Sequence, residues 1–218
     1  REVAVLKEAL ICIRHLLEQN TEALEGEFFP LVGGDSLRWD IEHADIPFQL
    51  GAWGPLTIKN CAHYVQEIKL GGSANPERVA WQRKKLNSFT AGDSIDICVG
   101  AVTVIDDDGE RARKLAKREV ALFLPVVATF DKTLQIDEEL LNRIKSAASV
   151  YDFERGAKDI SDDLLARFAI AGTPADIIKQ TESLIDAGAT RVEFGTPHGL
   201  NENIGMKLLG GKVLPAFG

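Results

Sequence analysis

Apolar residues return at helical spacing at the start of the chain. Val3, Leu6, Leu10, Ile13 and Leu17 form a stripe that Ala9 and Leu16 widen, which predicts an amphipathic helix. From Thr21 to Asp45 the periodicity lapses around Gly26, Gly33 and Gly34. This stretch reads as an extended connection with Phe28, Phe29, Leu31, Leu37 and Trp39 as packing anchors. A connection of that length inside a compact domain is functional or carries short elements of its own. Beyond it, short apolar runs alternate with helical stretches: a strand at 46–50, a helix at 55–64, a strand at 67–70 and a helix opened by Asn75 as cap and Pro76 in its first turn. The run 95–105 is rich in valine and isoleucine, as in a strand buried on both faces.

After 105, the sequence Asp106-Asp107-Asp108-Gly109 turns into a charged helix near Glu110. Helical pieces at 140–153 and 164–168 follow in a long excursion. Thr173-Pro174-Ala175-Asp176 then sets a cap, a first-turn proline and an N-terminal acid for a helix stopping at Gly188. A fourth strand at 191–194 and a helix at 202–213 complete the chain. No hairpin turn separates successive strands, so a parallel sheet with right-handed crossovers is predicted, spanning 1–218 as a single domain. An eight-unit barrel takes about 250 residues, roughly 30 per unit, so four units with an insertion amount to half a barrel, and an open four-stranded sheet competes. A half-barrel exposes strand edges and an apolar interior; a longer natural polypeptide, or another copy or chain supplying the rest, is therefore expected.

Three strands break into glycine and then a proline-bearing turn: Leu50-Gly51-Ala52-Trp53-Gly54-Pro55, Leu70-Gly71-Gly72-Ser73-Ala74-Asn75-Pro76 and Phe194-Gly195-Thr196-Pro197-His198-Gly199. In the first two, free amides at a helix start suit an anion such as a phosphate. Ser73, with the amides of Gly71, Gly72 and Ala74, is the leading candidate, and Gly51, Ala52, Trp53 and Gly54 form a companion loop. A plain strand-to-helix turn is the alternative reading of both. The glycines make neither a G-x-G-x-x-G nor a phosphate-loop pattern. His198 is a candidate substrate contact, or a turn residue bonded within its own loop. Glu193, inside the last strand, needs a partner such as Arg191 or a barrel neighbour, or faces the site as a proton-handling group.

Acidic residues outnumber basic ones, 33 to 25, for a net charge of −8, which argues against an electrostatic grip on nucleic acid. Cys12, Cys61 and Cys98 are too scattered for a disulfide framework or zinc site and fit a reducing cytosol. No H-x-x-x-H pair is present, and Lys117 stands where an EF-hand starting at Asp106 requires glutamate, so no metal is expected. No apolar run approaches the ~20 residues of a membrane span. A cytoplasmic location is expected.

The chain resembles the luciferase-like flavin or deazaflavin oxidoreductases, and within them the coenzyme F420-dependent methylenetetrahydromethanopterin reductase-like branch. The resemblance rests on Gly51-Ala52-Trp53-Gly54-Pro55, Leu70-Gly71-Gly72-Ser73-Ala74, Val99-Gly100-Ala101-Val102-Thr103-Val104, Phe168-Ala169-Ile170-Ala171-Gly172-Thr173-Pro174 and Val192-Glu193-Phe194-Gly195-Thr196-Pro197-His198-Gly199-Leu200. It implies an α/β fold that is the carboxyl-terminal part, strands 5–8, of a TIM (β/α)8 barrel, with the N-terminal strands absent from this sequence. It also implies cofactor contacts at Gly51 to Gly54 and Leu70 to Ala74, although Trp53 stands where relatives often carry a basic residue. The implied activity is hydride transfer between coenzyme F420 and a methylenetetrahydromethanopterin-type or other small substrate. An FMN-dependent monooxygenase is the alternative, and a non-catalytic cofactor-binding barrel a second one. A homo-oligomer is expected.

Overall fold

The computed structural model describes residues 1–89 and 95–218. The chain divides into two compact units, 1–68 with 85–96, and 69–84 with 97–218. Among the described residues no helix is long and apolar enough to cross a membrane.

In the first unit, helix α1 covers Glu2–Leu17, as the apolar stripe predicts. The connection after it is held by polar side chains of α1 more than by its own aromatics. The Glu8 carboxylate accepts from the amides of Glu27, Phe28 and Phe29 at 3.1, 2.7 and 2.6 Å. Arg14 stacks over the Phe48 ring at 4.1 Å and donates to the carbonyls of Ala44 and Ile46. Two expected anchors, Phe29 and Trp39, are exposed instead; at Phe29 the bond to Glu8 fixes the backbone without burying the ring. Strand β1 is Gln49–Gly51, shorter than expected. Pro47 has no amide to offer, and the Phe48 amide donates to the Gln66 side chain, so the ladder begins only beyond them. Helix α2 is Pro55–Cys61, followed by a 3-10 turn over Ala62–Tyr64. Strand β2, Glu67–Gly71, and helix α3, Pro76–Phe89, carry the chain across the unit boundaries.

The second unit is organised on strand β3, Asp96–Ile105. After it come α4 Gly109–Ala121, α5 Leu124–Phe130, α6 Glu138–Ala148, α7 Phe153–Lys158 and α8 Asp162–Leu165. Strand β4 is Ala169–Gly172, α9 is Pro174–Asp186, β5 is Arg191–Gly199 and α10 is Glu202–Leu208. The caps read from the sequence are in place. Asn75 Oδ1 accepts from the Glu77 amide, and Thr173 and Asp176 form a reciprocal capping box; within the acidic turn before α4, Asp108 is the residue that caps, accepting from the amides of Glu110 and Arg111.

Both β4 and β5 run parallel to β3. Val102, Val104 and Ile105 pair with both of them, so the two neighbours occupy opposite edges of β3. The turn after β2 shares the β4 side: the Gly72 amide donates to the Gly100 carbonyl and the Ala74 amide to that of Arg167, just before β4. Strand β4 is an addition to the four expected strands. Its four residues, Ala-Ile-Ala-Gly, are all buried and too short to display a strand period. Strand β5 also runs further than 191–194, reaching Gly199 past an irregularity opposite Val102 and Val104. On α4, Ala112, Ala116 and Val120 repeat every fourth position and bury one face in a core with Val104, Leu124, Ile144, Leu165 and Phe168.

A Cβ built on Gly195 would stand 2.6 Å from the Ala101 carbonyl oxygen, and backbone on a neighbouring strand cannot yield cheaply. Gly195→Ala should therefore destabilise the protein by about 2 kcal/mol, read as a lower urea midpoint with an unchanged slope.

Candidate functional site

Successive strand side chains point to opposite faces, so Lys69 and Gly71 share one face of β2. Gly100 and Val102 share one of β3, and Glu193 and Gly195 one of β5. The register sets Gly100 opposite Glu193 and Val102 opposite Gly195. These residues line a cavity of about 440 Å³ together with Gly72, Phe123 and Val127.

One charged layer crosses this cavity. Lys69 on β2 reaches over β3 and donates to Glu193 Oε2 on β5. Neighbouring strands stand about 4.8 Å apart, so the two side chains bridge roughly twice that distance. The span is possible because residue 100 has no side chain: its Cβ would lie 2.9 Å from Lys69 Cε and 3.4 Å from Glu193 Oε2. Arg191 completes the cluster 3.2 Å from Glu193 Oε1. The Lys69 hydrogen bond is the largest influence holding the Glu193 carboxyl below its usual value. Partial burial opposes it, while a bond from Cys98 and the charges of Lys69 and Arg191 add to it. Of the two sequence readings of Glu193, pairing with Arg191 and a neighbour is the one the geometry displays, and the carboxylate also faces the cavity.

Opposite this layer the cavity is apolar. Gly72 adopts φ +76°, a left-handed conformation natural to glycine, and its missing Cβ leaves room for Phe123 and Val127, each 3.2 Å from where that atom would be. The turn itself differs from the expectation of free amides. Those of Gly72 and Ala74 are donated to the carbonyls of Gly100 and Arg167, because β3 and the approach to β4 present acceptors just where the chain leaves the sheet. Ser73 is buried with its Oγ accepting from the Asn75 amide, and Leu70 is buried in the core. Asn75, also buried, donates to Asp131 and Thr133 and accepts from Arg167.

Gly51, Ala52, Trp53 and Gly54 belong to the first unit, where Gly54 is the extended N-cap of α2 and Ala52 is buried. His198 adopts φ +68°; its Nε2 donates to the Phe194 carbonyl at 3.1 Å, and Nδ1 stands 3.7 Å from Glu202 Oε1. Its ring is bonded to a residue of its own strand, β5, and it does not line the Lys69–Glu193 cavity. Among the described residues no group of three or more His, Cys, Asp or Glu side chains is arranged to hold a metal. Lys69, Gly100, Phe123 and Val127 were missed as site residues. The available signals were a lysine inside an apolar strand and a glycine inside a valine-rich one, which marks close approach by another group.

A parallel sheet whose carboxyl-terminal turns carry glycine, with a charged pair across one face, defines an α/β protein. The chain belongs to the luciferase-like monooxygenase family, whose sequence model matches residues 1–191. It is similar to the 5,10-methylenetetrahydromethanopterin reductase of Methanopyrus kandleri, with 28% identity over 97% of this chain and 62% of that protein. The enzyme of the same name from Archaeoglobus fulgidus is 27% identical over 96% and 65% respectively. The chain thus spans somewhat less than two thirds of the length of these relatives. Among solved structures it resembles the coenzyme F420-dependent tetrahydromethanopterin reductase from M. kandleri, with a TM-score of 0.87, 26% identity, and coverage of 99% of this chain and 64% of that one. An F420-dependent secondary alcohol dehydrogenase shares the fold at a TM-score of 0.69 and 18% identity, over 96% of this chain and 60% of that one.

The depressed value of Glu193 has a definite sign in stability. Its contribution is full above the unfolded carboxylate range, about pH 4.3, and is lost as the pH falls through the lower folded value. Urea midpoints should drop on acidification, and Lys69→Met, which removes the main cause of the shift, should make that drop shallower.

Proposed function

We propose that the protein is an oxidoreductase transferring hydride between coenzyme F420 and a methylenetetrahydromethanopterin-type or other small substrate. The observation that carries this reading is the cavity on the Lys69–Gly100–Glu193 layer, in a chain similar over nearly its whole length to reductases of that name.

The residues present fit a flat heterocycle. A Cβ built on Gly71 meets nothing within 4 Å, so the cavity has an open shelf free of side chains. Phe123 and Val127 supply an apolar wall that keeps water from a bound ring. Leu70, Gly71, Gly72, Ser73 and Ala74 are the proposed cofactor-holding segment of this unit. Its phosphate contacts fall to groups other than the inward-turned amides of Gly72 and Ala74. Gly51, Ala52, Trp53 and Gly54 are proposed cofactor contacts on the strength of their own strand-to-helix turn, and His198 a substrate contact. When bound, a deazaflavin supplies two-electron hydride chemistry; the protein's share is to bind, orient and desolvate.

We also propose that β1, β2, β3 and β5 correspond to the last four strands of a (β/α)8 barrel, with β4 belonging to an insertion. The working protein is proposed to be a cytoplasmic homo-oligomer.

Titration of the purified protein with coenzyme F420 and FMN side by side tests the cofactor. Saturable binding of F420 with weaker binding of FMN is expected; oxygen consumption with reduced FMN would favour the monooxygenase alternative. Gly71→Val should leave thermal stability unchanged, since its side chain enters open space, and weaken F420 binding about tenfold or more by filling the shelf.

A further inference from the structure

We infer that the Lys69–Glu193 pair reads a ring edge on which a carbonyl and a ring N–H stand side by side, the pyrimidinone edge common to deazaflavins, flavins and pterins. The inference rests on the reading of the cavity as a ring-binding site and assigns the polar contact that fixes the ring's orientation there.

The pair retains the hydrogen-bonding capacity for this. An ammonium has three donors and no acceptor, and a carboxylate is acceptor-only with about four lone-pair positions. Lys69 gives one N–H to Glu193 Oε2, Arg191 pairs with Oε1 and Cys98 also bonds the carboxylate, which leaves two ammonium N–H groups and about one lone-pair position. Both partners line the cavity, with about a third of each side chain exposed, 32% for Lys69 and 33% for Glu193. Donor and acceptor thus stand adjacent at one wall, matching a carbonyl beside an N–H. A lone lysine would suit any anion and a lone carboxylate any cation, whereas the joined pair sets a donor directly beside an acceptor and suits an edge of mixed polarity.

The surroundings favour the same ligand. The next layer along the strands is Gly71, Val102 and Gly195, which offers no polar side chain. Phe123 and Val127 are apolar, so apart from Thr196 the pair supplies the polar side chains of the lining. A bridge needed only for stability gains little when this exposed, and gives no reason for the cavity to open onto it.

Equilibrium fluorescence titrations of the intact protein test the assignment on two arms. One uses coenzyme F420 and its N3-methyl derivative, the other 6-methyltetrahydropterin and its N3-methyl derivative; methylation removes the N–H and blocks the edge. The wild-type protein should prefer the unmethylated ring by at least about tenfold on one arm, which identifies whether cofactor or substrate presents its edge. Lys69→Met and Glu193→Gln should each abolish that preference, while Lys69→Arg, which keeps a donor, should retain part of it. Should Lys69→Met fail to fold, the near-isosteric Glu193→Gln carries the comparison. Wild-type binding with no preference on either arm, or a full preference that survives in folded Lys69→Met or Glu193→Gln, would overturn the inference and leave the ring-binding reading standing. Binding of neither ring type would overturn both.

Discussion

The absence of a side chain at residue 100 is the constraint on which the candidate site depends. Strand β3 is filled on both edges and buried along most of its length. Any side chain at its centre would lie between the lysine of one neighbour and the glutamate of the other. Glycine costs a strand stability through conformational entropy and lost packing. Here that loss permits a contact between residues separated by a whole strand. Two charges on an inner wall pay a desolvation cost that their attraction offsets only with good geometry. Their partial exposure further weakens the pair as a source of stability, so its placement is better explained by what it presents to the cavity.

The apolar wall is held to the opposite side of that cavity by a second buried polar feature. Asn75 is fully buried, yet its amide nitrogen donates to Asp131 and Thr133 and its oxygen accepts from Arg167 and the Glu77 amide. Both donors and both lone pairs are used, which is the condition under which a buried amide becomes an asset to a fold. The three anchored segments are distant in sequence: the turn after β2, the end of α5 and the approach to β4. Because α5 follows Phe123 and contains Val127, tying its end to the turn fixes the spacing between the apolar wall and the glycine shelf.

Local signals were the legible part of this sequence. The stripe of α1, the acidic turn before α4, the Thr173 cap with Asp176 and the buried character of β3 each follow from residues within one helical turn or one strand. Strand β4 escaped because four small and apolar residues have no period to read. The start of β1 was misplaced because pairing there depends on Pro47 and on a side chain 18 residues away. The glycine turns were legible as turns. Their amides were not, since the acceptors that take them, at Gly100 and Arg167, come from other strands of the fold. The Lys69–Glu193 pair was half visible: Glu193 called for a partner, but a lysine 124 positions earlier becomes that partner only once register is known.

That difference between turn and cavity bears on how a site of this kind chooses its ligand. Backbone amides at a strand-to-helix turn recognise the charge and shape of an anion and do not read the ring attached to it. In this protein two of those amides are already bonded within the fold, which limits the affinity the turn can supply. On the ring-binding reading proposed above, discrimination falls to the open shelf at Gly71, the apolar wall at Phe123 and Val127, and the mixed donor and acceptor at Lys69 and Glu193. These come from β2, the segment before α5, α5 itself and β5, so the selectivity of the site is a property of sheet register and of the Asn75 anchor before it is a property of any one loop.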